Sequence, residues 1–163
     1  MSIDISDEVM LNVLYIEGNS FDIELLQRVM DISGDSFKLE SANTLKDGIK
    51  LLEANKYNCI LLDLHLPDGE EKYIVESIIK VKKGSIPIIV FTSVGAVDVK
   101  RYMELGVDDF CYKHNMKSVL EKIIRAVQRH KRRIKYKDNQ VNECAHKLIS
   151  KFNDIETKLN KLL

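Results

Sequence analysis

No apolar run in this 163-residue sequence approaches the ~20 residues that a membrane-spanning helix requires. The opening stretch, MSIDISDEVM, lacks the basic start and apolar core of a secretory leader, so none is expected. Cysteine is scarce. Cys59, Cys111 and Cys144 are odd in number and scattered, which excludes a disulfide framework and points to a reducing, cytoplasmic setting. Cys59 and Cys111 have apolar neighbours and read as core residues. Net charge is also lacking, with 25 Lys/Arg against 25 Asp/Glu. That balance hides an asymmetry: residues 1–116 hold 12 basic and 20 acidic side chains, whereas residues 117–163 hold 13 and 5. An acidic front and a basic tail suggest two parts with different tasks. Finally, glycine and proline, the two strongest helix breakers, are missing from Lys117 to the end.

What is present is a chain that is 45% hydrophobic, enough for a packed core. Short β-rich runs occur at Leu11–Ile16, Phe37–Ser41, Cys59–Leu64, Ile86–Phe91 and Asp108–Lys113. Helically spaced apolar residues lie between them: Ile23, Leu26, Val29 and Met30; then Leu45, Ile49 and Leu52; then Ile74, Ile78 and Val81. Thr44, with Asp47 three residues on, reads as the start of the second helix. Strands alternating with helices imply parallel pairing through right-handed crossovers. CILLDL and IPIIVF are apolar on both faces, as central strands covered by helices must be. The expected fold class is therefore α/β, a doubly wound five-stranded parallel sheet, whose sites lie at the carboxyl ends of its strands.

Reading those ends in turn gives Glu17, Asp63, Thr92-Ser93 and Lys113. A carboxylate is a competent nucleophile toward phosphorus. Phosphoryl transfer then needs positioning and cationic stabilisation. Lys113 supplies a positive charge, Thr92 a hydroxyl donor, and Glu17 with Asp63 could hold Mg²⁺ through oxygen.

The segments VLYIEGN, CILLDLHLPDG, IPIIVFTS and GVDDFCYK resemble the signature blocks of response regulator receiver domains in two-component signalling. The resemblance spans about Leu11 to Gln128 and implies a flavodoxin-like fold. It implies that Asp63 is the phosphoacceptor, that Thr92 and Phe110 are the switch residues, and that Lys113 and Thr92 contact the phosphoryl group. It also implies Mg²⁺ held by Glu17, Asp63 and the backbone carbonyl of His65. The phosphoryl donor would be a histidine kinase or a phosphotransfer protein, and no enzyme activity is expected beyond self-phosphorylation and self-dephosphorylation.

Two positions depart from the pattern. Gly18 stands where the second acid after the first strand is usual, which predicts a weakened metal site. His114 stands where a proline usually follows the lysine, and a cis peptide at a non-proline residue costs ~3 kcal/mol or more.

Three regions are expected: an N-terminal segment, 1–10; a receiver, 11–128; and a helical extension, 129–163. In the extension, Leu120, Val127, Ile134, Val141, Leu148, Ile155 and Leu162 recur every seven residues. The positions four residues later are Ile124, Lys131, Asp138, Ala145, Phe152 and Leu159. This pattern predicts a coiled coil with a weak centre and a homodimer through the C-terminal helix. Asp138-Asn139 leaves open a helix break, and the helix could instead fold back on the domain.

Other readings compete. A phosphorylation-independent scaffold is the main alternative, followed by a haloacid-dehalogenase-type phosphatase. The latter needs an acid two residues after its nucleophile, where His65 stands. His65 and His114 lack metal-ligand spacing with a cysteine or a second histidine and read as loop residues. His146 is followed by Lys147, where a phosphotransfer histidine would be followed by an acid, and reads as a surface residue. The basic run His130–Lys137 reads as a solvated helix face, and with no helix-turn-helix following it nucleic-acid binding is not expected.

Overall fold

The computed structural model describes residues 10–34, 37–82, 86–93 and 98–162. The N-terminal segment expected at 1–10 therefore lies, except for Met10, outside the described residues. The elements are β1 (Leu11–Ile16), α1 (Ser20–Ser33), β2 (Phe37–Ala42), α2 (Leu45–Ala54), β3 (Cys59–Leu62), α3 (Glu71–Val81), β4 (Ile88–Thr92), α4 (Val99–Leu105), β5 (Asp109–Tyr112) and α5 (Met116–Leu162). A 3₁₀ turn at Lys113–Asn115 joins β5 to α5.

All strand pairs are parallel, in the order β2-β1-β3-β4-β5. The chain steps outward from β1 to β2, then returns to the other side of β1 for β3. The crevice between the carboxyl ends of β1 and β3 is thus the topological switch point, where sheets of this kind bind ligands.

Strand residues alternate between two cores, because side chains of a pleated strand point to opposite faces. On one face Leu14, Ile16, Ile60, Leu62, Ile88 and Val90 pack with side chains of α2, α3 and α4. On the other, Val13, Tyr15, Leu61, Ile89 and Phe91 pack with Leu26 and Met30 of α1 and Val119 and Ile123 of α5. β3 and β4 are buried on both faces, as is β1 from Val13 to Ile16, which explains their predominantly apolar sequences.

Three strands are shorter than their runs suggest, β5 by one residue at each end. β4 begins at Ile88 because Pro87 has no N–H for the ladder; its carbonyl still accepts from Ile60 N at 2.9 Å. β3 ends at Leu62, yet Asp63 N donates to Ile16 O at 3.0 Å. Asp63 is therefore fixed by β1 one residue past the strand.

The chain divides into two compact units, 1–128 and 129–163. Within the first, α5 buries Val119, Ile123, Ala126 and Val127. Within the second, every described side chain from Lys131 onward is exposed, including Ile134, Val141 and Leu148. The heptad positions Phe152, Ile155, Leu159 and Leu162 lie outside the described side chains. The possible break at Asp138-Asn139 does not occur, and α5 is continuous through it. Both residues are only moderately poor helix formers, ~0.7 kcal/mol each, and their neighbours offset that. Among the described residues no helix is long and apolar enough to cross a membrane.

Candidate functional site

Glu17 directly follows β1 and is almost wholly buried, at 1% exposure. Its carboxylate accepts from the Tyr15 hydroxyl at 2.9 Å and from Asn19 N at 2.9 Å. Burial pushes the Glu17 carboxyl above the ordinary carboxylate range, while Lys113 and the Asn19 N–H pull it back. The groups hydrogen-bonded to it are all donors, while the nearby Asp63 carboxylate adds to the upward push. Burial and the neighbouring Glu17 raise the Tyr15 hydroxyl far above its usual value, so Tyr15 stays a neutral donor.

Asp63 lies across the switch-point crevice, 3% exposed. Its Oδ1 accepts from His65 N at 3.2 Å, and its Oδ2 accepts from Lys113 Nζ at 3.0 Å. The backbone is thereby curled so that both carboxylate oxygens are held.

Lys113 follows β5 directly and brings these residues together. Its ammonium contacts Glu17 Oε2, Asp63 Oδ2 and, at 2.8 Å, Asp22 Oδ2. Burial alone would lower the lysine's pKa, but hydrogen bonds to Asp22, Glu17 and Asp63 outweigh that and hold it above the usual lysine range. The ammonium is therefore a permanent charge at neutral pH.

These groups line an open cleft of about 690 Å³, ample for a phosphate-sized anion and a hydrated cation. Gly18 and Ser93 also line it, as does His65. The cleft thus unites Glu17, Asp63 and Lys113 from three separate strand ends. Thr92 is fully buried as the last residue of β4, and Ser93, not Thr92, is the hydroxyl residue of the lining. Phe110 is half-buried on β5, away from the cleft, with its ring 6.3 Å from that of Tyr102. The His65 side chain is exposed and faces Glu71, Nδ1 to Oε1 3.8 Å, and both residues line the cleft. His114 stacks on Tyr112, and His146 is an exposed residue of α5.

Asp22 and Tyr15 are the side chains that sequence reasoning missed. Asp22 sits in the first turn of α1, where an acid is ordinarily explained by the helix dipole. Its partner is 91 residues away, so spacing could not reveal it. Tyr15 reads as one more aromatic in a core strand.

The donor set suits a hard divalent cation, because carboxylates and a backbone carbonyl are the oxygen ligands that Mg²⁺ takes. Among the described residues no three acidic, histidine or cysteine side chains are already spaced for a metal. The carboxylates are instead drawn onto the Lys113 ammonium, which occupies the position of a cation. A Cβ built on Gly18 falls 3.5 Å from Pro67 and 3.8 Å from the carbonyls of Asn43 and His65, all ordinary contacts.

A family model described as the response regulator receiver domain matches residues 13–125. The cell cycle response regulator CtrA of Brucella ovis is 29% identical over 120 residues, 73% of this chain and 50% of its own. The chain thus spans about half the length of the curated relatives it matches. Among solved structures, a CheY-like receiver domain protein from Methanospirillum hungatei is 21% identical, with TM-score 0.67 over 76% of this chain and 98% of its own. The receiver domain of a Luxo repressor protein from Vibrio parahaemolyticus is 24% identical, with TM-score 0.65 over 75% and 93%.

Proposed function

Because the chain belongs to the response regulator receiver domain family of two-component signalling, we propose that Asp63 accepts a phosphoryl group from a histidine kinase or phosphotransfer protein. The observation that carries this reading is the convergence of Asp63, Glu17 and Lys113 on one cleft. An Asp63 oxygen attacks phosphorus, the phosphorus–nitrogen bond of the donor breaks, and its electron pair returns to the imidazole. Lys113 meets the negative charge that develops on the phosphoryl oxygens. Glu17, Asp63 and the His65 carbonyl would hold Mg²⁺, which when bound neutralises phosphoryl charge. Thr92 is the hydroxyl that turns toward the new phosphate, and Phe110 responds on β5. The aspartyl phosphate is a signal and not a turnover intermediate, so the domain is no enzyme beyond its own phosphorylation and dephosphorylation.

The receiver comprises residues 11–128, and the extension 129–163 is the part that responds. Ile134, Val141 and Leu148 repeat at seven-residue intervals and are all exposed, which favours a homodimer through this helix.

Labelling with a small phosphoryl donor such as acetyl phosphate, with Mg²⁺ present, tests the reading. Wild type should take up label and Asp63→Asn should not. Equal labelling of the two, or none in either, would instead favour a phosphorylation-independent scaffold.

A further inference from the structure

The apolar stripe of α5 changes character where the receiver unit ends. Val127 is buried in the receiver core, so the uncovered seam begins with Lys131 and Ile134. Ile134, Val141 and Leu148 are exposed on it, and so are Lys131 and Asp138. In a parallel, in-register pair each seam residue meets its own counterpart. Lys131 would face a second Lys131 and Asp138 a second Asp138, two like-charge pairs where the contact excludes water. The stretch 129–137, with six basic and no acidic side chains, would also lie against itself. Paired helices run ~8–10 Å apart, about one Debye length at physiological salt, so these repulsions are only partly screened.

We propose that residues 131–162 pair antiparallel with the same residues of a second copy. This inference rests on the homodimer reading of the helix. Reversing one helix brings the two kinds of seam position level with each other, because their three-and-four spacing is then read backward. With the uncovered seam paired over its whole length, Lys131 comes level with Leu162 of the second copy, Ile134 with Leu159 and Asp138 with Ile155. Asp138 still meets an apolar residue, but no seam charge meets its like. The stem of Lys131 can lie along the seam with its ammonium at the rim. The basic stretch 129–137 now faces residues 156–163, which carry two basic and one acidic side chain. Pairs flanking the seam do not decide the matter. A parallel pair sets Lys151 beside Glu156 of the second copy; an antiparallel one sets Lys135 beside Glu156 and Lys137 beside Lys158. Rim pairs of this kind contribute little, whereas charges stripped of water at the seam contribute much.

Disulfide trapping in the full chain reads the orientation. Cys59 and Cys111 are buried and Cys144 is exposed, so Cys144→Ser supplies a background without an accessible thiol. In it, Ile134→Cys and Leu159→Cys are equilibrated in a glutathione buffer, each alone and as an equimolar mixture. The mixture should give a covalent product joining the two variants, at least tenfold above the product of either variant alone. In the antiparallel pair the two copies of residue 134 stand 25 residues apart, from 134 to 159, or about 38 Å, whereas a disulfide needs Cα atoms within ~7 Å. A spin label on Tyr136→Cys, an exposed position outside the seam, gives a second reading. Its two copies should stand about 32 Å apart along the pair, whereas a parallel pair holds them level. Sedimentation equilibrium of the reduced proteins reports pairing itself. A dimer that cross-links like to like, that gives no mixed product or that holds the labels level would overturn the orientation and leave the homodimer standing. A monomeric wild type would strike the homodimer reading, and this inference with it.

Discussion

At the scale of single residues, the site shows how burial and pairing set each group's state. Glu17 is tolerated in the core because donors surround it, and Tyr15 is the donor that comes from inside the sheet. Tyr15→Phe keeps the ring and its contact with Phe91, centroids 5.6 Å apart, and removes only the hydroxyl. A buried charged acceptor that loses a donor costs about 1–3 kcal/mol, so urea unfolding at neutral pH should show a loss in that range. The pH dependence has a definite sign. The folded-state pKa of Glu17 is raised, so its charging lowers stability as pH climbs from the unfolded value through the folded one. Losing the Tyr15 donor disfavours the charged form further. The gap between wild type and Tyr15→Phe should therefore be smallest near pH 4 and widen toward neutrality; a pH-independent gap would refute this account. Glu17, Asp63 and Lys113 were legible in the sequence because each ends a recognisable strand. Asp22 and Tyr15 were not, since an acid in a first helical turn and an aromatic in a strand each have a sufficient local explanation.

At the scale of elements, α2 is placed by groups distant in sequence. Thr44 caps it, its hydroxyl accepting from Asp47 N at 3.1 Å, as the Thr-x-x-Asp spacing suggests. A second cap comes from the β3–α3 loop. Asp68 accepts from Leu45 N at 2.8 Å and Lys46 N at 2.9 Å, occupying two donors left free by the helix start. Those bonds outweigh the slight burial and lower the Asp68 pKa. A lowered carboxylate contributes stability above its unfolded value, about 3.9, and loses it as pH falls through the folded value. Asp68→Ala should therefore cost about 1 kcal/mol at pH 7, the usual scale of a cap, and the difference should shrink toward pH 3. Asp68 is exposed, so the cap and not the ionisation shift sets that magnitude. Gly48 brings α2 close to β1: a Cβ there would lie 2.5 Å from Ile16 Cδ1, inside a fully buried cluster. Alanine would raise helix propensity by ~1 kcal/mol, yet overpacking costs ~1–3 kcal/mol. Denaturant unfolding of Gly48→Ala should thus show net destabilisation, with disturbance passing to Glu17, the next residue after Ile16. The strands and all helices but the short α4 were readable from periodicity; these cross-loop contacts were not, because their spacing of 22 or 23 residues leaves no periodic trace.

At the scale of the whole molecule, one heptad serves two purposes. Its early members, Leu120 and Val127, belong to the core of the receiver unit. Its later members, Ile134, Val141 and Leu148, are exposed in the second unit. The sequence shows a single stripe throughout, because periodicity records that a face is apolar and not what covers it. A helix this long draws most of its stability from packing and little from propensity, so an uncovered stripe argues for a partner helix. In the proposed homodimer the same residues on each copy would supply one. On the homodimer proposal, wild type should sediment as a dimer and the double change of Val141 and Leu148 to Asn as a monomer in sedimentation equilibrium. The melting of the receiver unit should stay unchanged, since neither side chain contributes to its core. The centre offers the opposite experiment. Lys131 and Asp138 occupy seam positions where apolar residues are preferred, and a polar residue there trades stability for register. Replacing both with Ile should tighten association by at least an order of magnitude. If phosphorylation acts by altering this helix pairing, the same variant should also blunt any change in oligomer mass on adding beryllofluoride with Mg²⁺. An oligomer mass indifferent to all four substitutions would show that the stripe serves some other partner, and that the dimer is not how the signal leaves the receiver.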